Sequence, residues 1–270
     1  MKAIKKAETA SKKLAELPYF ELSAYIGISG HIGGFKATKE LIKLTKIADG
    51  LHILDVGCGT GKTVCYIAKH YKCKVVGVDI TRLCIDKAKK AVEKAKLGDR
   101  VEFKVADIYN LPFKNETFDI VIIENVFSFL ENKDKALKEL IRITKHGRYI
   151  GGNVCFRSKK LTSTEEKELE KISKEIYKSN VFPVTLDEFK KLIENQGLKE
   201  IKFLNPKITF IDKLIDFKED FSMLKILFRL IYLSILDKNI RRRVLALNKN
   251  YKKIERGSSV GFRIFVCRKL

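Results

Sequence analysis

The chain has 270 residues, of which 45% are hydrophobic, so it can bury a sizeable core and is not expected to be disordered as a whole. Its 55 lysines and arginines against 33 acidic residues give a formal net charge of +22, which suits either a solvated lysine-rich surface or contact with a polyanion. The charged N-terminus lacks an apolar stretch, and no apolar run reaches the roughly 18 residues of a membrane span. We therefore expect a cytoplasmic protein without a secretory leader or transmembrane segment.

The six cysteines are scattered, and none of them forms a C-x-x-C pair or a Cys/His group with the spacing of a zinc site. Free thiols in a reducing compartment are the simplest interpretation, and we expect no bound metal.

Strand-length apolar runs alternate with helical patterns along the first 155 residues. The predicted strands are Leu51–Val56, Lys74–Asp79, Val101–Val105, Phe118–Ile123 and Arg148–Cys155. The predicted helices between them are Lys62–Tyr71, Arg82–Lys96 and Lys133–Thr144. This rhythm favours an α/β fold in which helices cover both faces of a parallel sheet. Continuous runs such as KVVGVDI and FDIVII are typical of buried parallel strands.

Further elements are predicted on both sides of this alternating region. A basic helical stretch and a glycine-rich turn precede the first strand. After Cys155 come a charged helix over about Ser163–Lys178 and a helix for which Thr185 is the N-cap, with Glu188 completing a capping box.

The segment Leu54–Tyr66 places three glycines between a strand and a helix. A phosphate-binding loop would need glycine in place of Val56, and the dinucleotide fingerprint would need glycine in place of Lys62. The sequence therefore matches neither motif. What remains is a carboxylate followed by a glycine at every second position: Asp55, Gly57, Gly59 and Gly61. Glycines let a ligand approach the backbone, the following helix start offers N–H groups to a carboxylate, and the acid can bind an ammonium. The pattern favours a nucleoside with an amino acid tail.

Two more acids follow the next strands of the predicted sheet. Asp79 ends the second strand, where an acid can accept ribose hydroxyls, and the adjacent Ile80 could pack on an adenine face. Asp107 follows the third strand and could accept the adenine amine. Parallel strands end at one edge of a sheet, so these acids should line one ligand site. A purely structural interpretation remains open for these residues. The glycines could serve only to form a tight turn, and the acids could serve only as caps of the following helix or turn.

Five segments in register resemble the class I S-adenosylmethionine-dependent methyltransferases: LDVGCGTG (54–61), VVGVDIT (75–81), ADIYNLPF (106–113), FDIVIIENVFSFL (118–130) and KHGRYIGGN (145–153). A weaker likeness continues to the C-terminal strand. The upstream SGHIGGFKAT and the tail VGFRIFVCRK look like those of the quinone-biosynthesis methyltransferases. The resemblance implies a doubly wound, Rossmann-like fold with a seven-stranded sheet and S-adenosylmethionine as cofactor.

The resemblance also implies a set of site residues. The cofactor would be bound by Asp55, Gly57, Cys58, Gly59, Gly61, Asp79, Ile80, Ala106, Asp107, Ile108 and Glu124. Cys58 would contribute packing rather than chemistry. Methyl transfer would proceed by direct in-line displacement, so the protein mainly positions and desolvates the reactants. The catalytic candidates are Glu124, Asn125, His31 and Tyr25.

The predicted acceptor is a small molecule of apolar or anionic character. The fourth strand ends in IENVF and not in the Asn-Pro-Pro-aromatic pattern of enzymes that methylate exocyclic base amines, and nothing marks Cys155 as an activated nucleophile. Two alternatives remain open: an RNA methyltransferase that binds through charge, and a cofactor-binding module without catalytic activity.

Residues 209–258 are predicted to form a helical insertion before the last strand. From Phe221 to Asp237, 12 of 17 residues are apolar, which predicts a helix buried on most of its circumference. The insertion could cap the substrate pocket, contact a second subunit or, with the basic stretch that follows, touch a membrane surface. The predicted division is an N-terminal cap (1–48), a methyltransferase core (49–208 with 259–270) and this insertion (209–258).

Overall fold

The computed structural model describes residues 17–26, 33–157, 162–178, 180–181, 184–206, 228, 231–235, 237–255 and 260–270. Its strands are β1 (His52–Val56), β2 (Lys74–Asp79), β3 (Val101–Val105), β4 (Phe118–Glu124), β5 (Thr144–Arg157), β6 (Val184–Thr185), β7 (Lys199–Leu204) and β8 (Val260–Arg268). Its helices are α1 (Tyr19–Ile26), α2 (Gly34–Leu44), α3 (Lys62–His70), α4 (Arg82–Ala95), α5 (Lys133–Ile143), α6 (Ser163–Ile172), α7 (Leu186–Asn195) and α8 (Lys238–Glu255).

Within these described ranges, seven strands form one mixed sheet in the order β3-β2-β1-β4-β5-β8-β7, and the two-residue β6 pairs with β5. Strands β1 to β5 pair in parallel, whereas β8 runs antiparallel to both β5 and β7. The predicted doubly wound, seven-stranded α/β fold is therefore confirmed. Strand β5 begins at Thr144, earlier than predicted, because Thr144 pairs with Phe118 beside an irregularity in the β4–β5 register.

Successive strand residues point to opposite faces of the sheet and build two apolar clusters. Ile53, for example, packs with α2, α3 and α4, while its neighbour Leu54 packs on the other face with α5 and α7. This placement of helices on both faces explains why the central strands read as continuous apolar runs. The predicted capping box of α7 is present: Thr185 accepts from the Glu188 N–H at 3.1 Å, and the Glu188 carboxylate accepts from the Thr185 N–H at 2.7 Å.

A third, smaller cluster joins the N-terminal helix to the region of the insertion. Leu22 and Ile26 of α1 are buried against Leu233 and Ile240. Lys87 of α4 donates to the backbone carbonyls of Ala24 and Tyr25, so α1 is also tied to the sheet domain.

The insertion helix is only partly described, and its described part differs from the prediction. Residues 231–235 are helical, but Phe228, Ile231, Tyr232 and Ile235 are exposed while Leu233 is buried. The core covers one side of this segment and leaves a broad apolar face uncovered.

All six cysteines are free thiols. In the part of the chain that the structure describes, no helix has both the length and the apolarity that crossing a bilayer requires. Nor do three or more His, Cys, Asp or Glu side chains within those ranges gather in a way that could hold a metal ion.

Candidate cofactor and acceptor site

The glycine loop connects β1 to α3 with all three glycines in the left-handed region, at φ of 74°, 53° and 80° for Gly57, Gly59 and Gly61. A Cβ on Gly57 would lie 2.3 Å from a Val126 methyl group, and one on Gly61 would lie 2.8 Å from the Phe103 ring. A Cβ on Gly59 would meet nothing within 4 Å. Two of the glycines thus permit close packing, whereas Gly59 borders open space that a ligand can use.

Asp79 connects the end of β2 to this loop. Its carboxylate accepts hydrogen bonds from the Gly59 N–H at 2.9 Å and from the Thr81 N–H at 2.8 Å. Burial raises the pKa of Asp79, and these two backbone hydrogen bonds oppose the rise. The next side chain, Ile80, is 67% exposed, which is unusual for a large apolar residue and leaves a surface on which a flat ring could pack.

Asp55 is almost fully buried at the end of β1, with 3% of its surface exposed. Burial raises the pKa of its carboxyl well above the usual value, and the charges of Glu124 and Asp79 raise it further. Three carboxyl groups therefore gather at the carboxyl edge of the sheet. Because their mutual repulsion is relieved by a nearby positive charge, a cationic ligand would stabilise this arrangement.

The predicted residues after β3 lie beside this site. The Ala106 N–H donates to the Asp79 carbonyl at 3.1 Å, which fixes the end of β3 next to β2. Asp107 is exposed, and its carboxylate accepts from the Tyr109 N–H at 2.9 Å. Ala106 and Ile108 pack partly buried against the core. Cys58 is buried within the loop, and burial raises its pKa well above the usual thiol value, in line with a packing role.

Glu124, at the end of β4, accepts hydrogen bonds from three other elements. Its carboxylate receives the Thr38 hydroxyl of α2 at 3.1 Å, the Thr63 hydroxyl of α3 at 2.9 Å and the Asn153 amide of β5 at 3.1 Å. We call Glu124, Thr38, Thr63 and Asn153 the polar junction. Its three donor residues are all buried and were not predicted from the sequence, although the Lys-Thr after the glycine loop and the Gly-Gly-Asn of β5 mark two of them.

Asn125 follows directly, with the left-handed φ of 60°. Its N–H donates to the Asn153 carbonyl at 3.1 Å, and its side-chain oxygen accepts from the Cys155 thiol at 3.0 Å. Burial raises the pKa of Cys155 to about 12, with a hydrogen bond to Ser128 opposing the rise. The raised pKa and the hydrogen bond to Asn125 favour a structural thiol over an activated nucleophile at Cys155.

Four aromatic rings form a second group that the sequence did not predict, which we call the aromatic cluster: Tyr19, Phe20, Phe129 and Tyr177. The Phe20 and Phe129 ring centroids lie 4.5 Å apart, and those of Tyr19 and Tyr177 lie 5.3 Å apart. Burial raises the pKa of both phenols, and the nearby Cys155 thiol adds to the rise in each case. The cluster therefore adjoins Cys155.

Of the other two catalytic candidates, Tyr25 and His31, only Tyr25 lies among the described residues. Tyr25 lies in α1, where its carbonyl accepts from Lys87 at 3.1 Å and its side chain packs against the cluster formed by Leu22 and Leu233. It therefore adjoins the described part of the insertion. His31 lies outside the described residues.

A substitution of Asp79 tests its predicted role as the ribose ligand. We expect Asp79→Ala to weaken S-adenosylmethionine binding by roughly 10- to 150-fold, the equivalent of about 1.5–3 kcal/mol for hydrogen bonds to a charged group. Calorimetric titration would measure the affinity, and circular dichroism would check the fold. Wild-type affinity in the variant would show that Asp79 only orders the loop and the start of α4.

Comparison with known proteins agrees with this geometry. Residues 53–147 match the protein family described as "Methyltransferase domain". An uncharacterized protein of Haemophilus influenzae is 28% identical over 181 residues, which cover 66% of this chain and 70% of that protein. Norajmaline N-methyltransferase of Rauvolfia serpentina is 31% identical over 127 residues, which cover 45% of this chain and 44% of the relative. This chain therefore matches less than half of the second relative.

Among solved structures, the chain resembles Haemonchus contortus phosphoethanolamine N-methyltransferase 2 in complex with S-adenosyl-L-methionine. The TM-score is 0.69 at 19% sequence identity, and the match covers 90% of this chain and 54% of that one. At this identity the likeness establishes the fold. The family match spans the segment from β1 to the start of β5, which contains the glycine loop and the carboxyl groups that follow the first four strands. That segment is a class I S-adenosylmethionine-dependent methyltransferase domain.

Proposed function

We propose that this chain transfers a methyl group from S-adenosylmethionine to a small molecule held against the aromatic cluster. The residues of the site fit the cofactor: Gly59 borders open space, Asp79 and Ile80 suit a ribose and an adenine, and the buried acids suit the cationic groups. When bound, the cofactor supplies an electrophilic methyl group on a sulfonium. The subgroup of quinone-biosynthesis enzymes remains a hypothesis.

The observation that carries the acceptor proposal is the short stretch of chain between Val126, which packs on the glycine loop, and Phe129 of the aromatic cluster. Phe129 belongs to the short turn Phe127–Phe129 that follows β4. Val126, which leads into this turn, lies so close to Gly57 that a Cβ there would clash with it. An acceptor resting on Phe129 would therefore lie near the cofactor loop, as in-line transfer requires.

The protonated side chains around the aromatic cluster favour an acceptor that can be methylated without first losing a proton to the protein. Tyr19, Tyr177 and Cys155 all have raised pKa values, so they keep their protons at neutral pH and do not act as ready bases. An amine that binds as its neutral free base suits such a site, because its lone pair attacks the methyl group directly and the methylated product leaves as the ammonium. Aromatic faces also stabilise the positive charge that passes to the nitrogen during transfer. The names of the N-methyltransferases to which the chain is similar support this choice.

The same geometry supports a cap over the acceptor. Tyr19 and Phe20 begin α1, whose Leu22 and Ile26 pack on Leu233 and Ile240 of the insertion. We place the cap in residues 1–48 and 209–258, over a core formed by 49–208 and 259–270. A cap of this kind would exclude water from the reacting atoms.

Labelled cofactor and a Phe129 variant test the proposal together. With S-adenosylmethionine labelled in the methyl group, we expect label to enter the small-molecule fraction of a cell extract and not the RNA fraction. Phe129→Ala should raise the KM for the labelled acceptor by about fivefold or more, since an aromatic contact contributes about 1 kcal/mol beyond its buried area. Cofactor affinity should remain within a few-fold of wild type.

Tyr66→Ala is the matched control, because Tyr66 is an aromatic residue on α3 that packs with Phe35 and stacks on His70 away from the cluster. It should leave the acceptor KM unchanged. Label in RNA, with binding that falls steeply as salt rises, would replace the proposal with the nucleic-acid alternative. Cofactor binding without label in either fraction would favour a binding module.

A further inference from the structure

The outer side of the insertion presents a broad apolar face. Phe228, Ile231, Tyr232 and Ile235 follow the i, i+3, i+4, i+7 spacing of one helix face, and each is between 48% and 70% exposed. Leu233, on the other side, is buried. Single exposed apolar side chains are ordinary, but a contiguous group of this kind marks a surface that binds something.

A basic face adjoins the apolar one. In α8, Lys238, Arg241, Arg242, Leu245 and Lys249 share one exposed helix face with i, i+3, i+4, i+7 and i+11 spacing. The Arg241 guanidinium donates to the Ser234 carbonyl at 2.8 Å, so the basic face begins where the apolar one ends. One cation of this face, Arg242, forms an exposed ion pair with Glu175 at 3.3 Å.

The two faces are attached firmly to the folded core. Asp237 accepts from the N–H groups of Asn239 and Ile240 and so caps the start of α8 directly after the apolar segment. The buried Arg243 donates to the Leu17 carbonyl at 2.9 Å on the inner side. The exposed apolar and basic side chains therefore form one surface of defined orientation, on the outside of the proposed cap.

We propose that this surface docks on a lipid bilayer that carries anionic headgroups. Helices with an apolar face beside basic residues lie in the membrane interface, where apolar side chains enter the headgroup and acyl boundary and cations contact the phosphates. Each basic residue near an anionic leaflet contributes about 1 kcal/mol, and the chain's formal net charge of +22 acts in the same direction.

Other occupants fit the surface less well. A second copy bound across a two-fold axis through the apolar face would cover that face but would leave the basic residues without a partner. A nucleic acid would use the basic residues and could stack bases on Phe228 and Tyr232, but it would leave Ile231 and Ile235 exposed, because bases do not stack on aliphatic side chains. Only the bilayer uses both halves of the surface. The docking does not depend on the proposed acceptor.

Vesicle flotation of the full chain tests the docking. We expect wild-type protein to float with vesicles of phosphatidylcholine mixed with phosphatidylglycerol, and poorly with phosphatidylcholine alone. Ile231→Ser with Ile235→Ser should weaken binding to the mixed vesicles, as should Lys238→Glu with Lys249→Glu, each by at least about tenfold. These side chains are exposed, so the thermal stability of each variant should match wild type, which excludes misfolding as the cause of lost binding.

The control is Lys89→Glu with Lys90→Glu, which makes the same charge change on exposed residues of α4. It should bind mixed vesicles within about threefold of wild type. Failure of wild-type protein to float, or an equal loss in the control, would overturn the proposal. So would a dimer, seen by light scattering, that Ile231→Ser with Ile235→Ser converts to monomer while vesicle binding persists.

Discussion

Replacing Gly59 with valine should greatly weaken cofactor binding while the protein remains folded. The residue has a φ of 53°, and its missing side chain would point into open space beside Asp79. A valine at this position costs about 1–2 kcal/mol of backbone strain. Its Cβ would meet no protein atom within 4 Å. Its methyl groups would occupy the space that we assign to S-adenosylmethionine. We expect affinity to fall on the order of 100-fold, as measured by calorimetric titration.

Gly50 provides the matched control, because it has a similar φ of 81° and a Cβ there would also meet nothing within 4 Å. It lies before β1, at the opposite edge of the sheet from the site, where its N–H donates to the Lys72 carbonyl. Gly50→Val should lower the melting temperature about as much as Gly59→Val and leave the affinity unchanged. Equal loss of binding in both variants would attribute the effect to strain, and unchanged binding in Gly59→Val would contradict our assignment of the loop.

The sequence was sufficient to predict the fold because each strand and helix is marked by its own residues. The continuous apolar runs of β1, β2 and β4 are buried on both faces, and the helical patterns between them supply the covering layers. The predicted limits of β5, Arg148–Cys155, were less accurate, because the strand runs over Thr144–Arg157. Its first residues pair with β4 beside a register irregularity, and the apolar pattern contains no signal for that pairing.

The cofactor edge could be predicted for a related reason. Asp55 and Asp79 lie at the ends of β1 and β2, Asp107 follows β3, and parallel topology brings all three to one edge. The polar junction could not be predicted in this way. Thr38 and Glu124 are 86 residues apart and meet only because α2 packs on the sheet, so no local spacing connects them. The aromatic cluster likewise combines rings from α1, the turn after β4 and the π-helical turn Ser173–Tyr177.

The insertion shows the limit of composition as a guide to burial. An apolar content of 12 in 17 residues predicted a helix buried on most of its circumference. In the described part, only one side packs on the core, through Leu233. The pattern of apolar residues indicates that a face must be covered, but it does not distinguish the protein's own core from a surface outside it. For that reason the exposed face became the basis of the bilayer proposal.

The largest effect on stability is expected for Glu124→Leu. Glu124 accepts hydrogen bonds from Thr38, Thr63 and Asn153, and these donors are buried. Leucine would leave three buried donors without this acceptor, and each lost partner costs about 1–3 kcal/mol. We expect the free energy of unfolding to fall by about 3 kcal/mol or more, measured by urea denaturation. Cofactor affinity should fall as well, because Thr63 lies in the first turn of α3, the helix that follows the glycine loop.

Glu124→Gln and Glu131→Gln separate this positioning role from a role as general base. Glutamine keeps the shape and one acceptor oxygen, so Glu124→Gln should lose part of the stability and part of the cofactor affinity. Glu131 is exposed in the segment after the same strand, and its substitution should change neither quantity. A base would behave differently: Glu124→Gln would then lower kcat and remove a limb of its pH profile while stability and cofactor affinity stayed at wild-type values. That outcome would contradict the positioning role, since a carboxylate that joins α2, α3 and β5 cannot be altered without loosening the elements it connects.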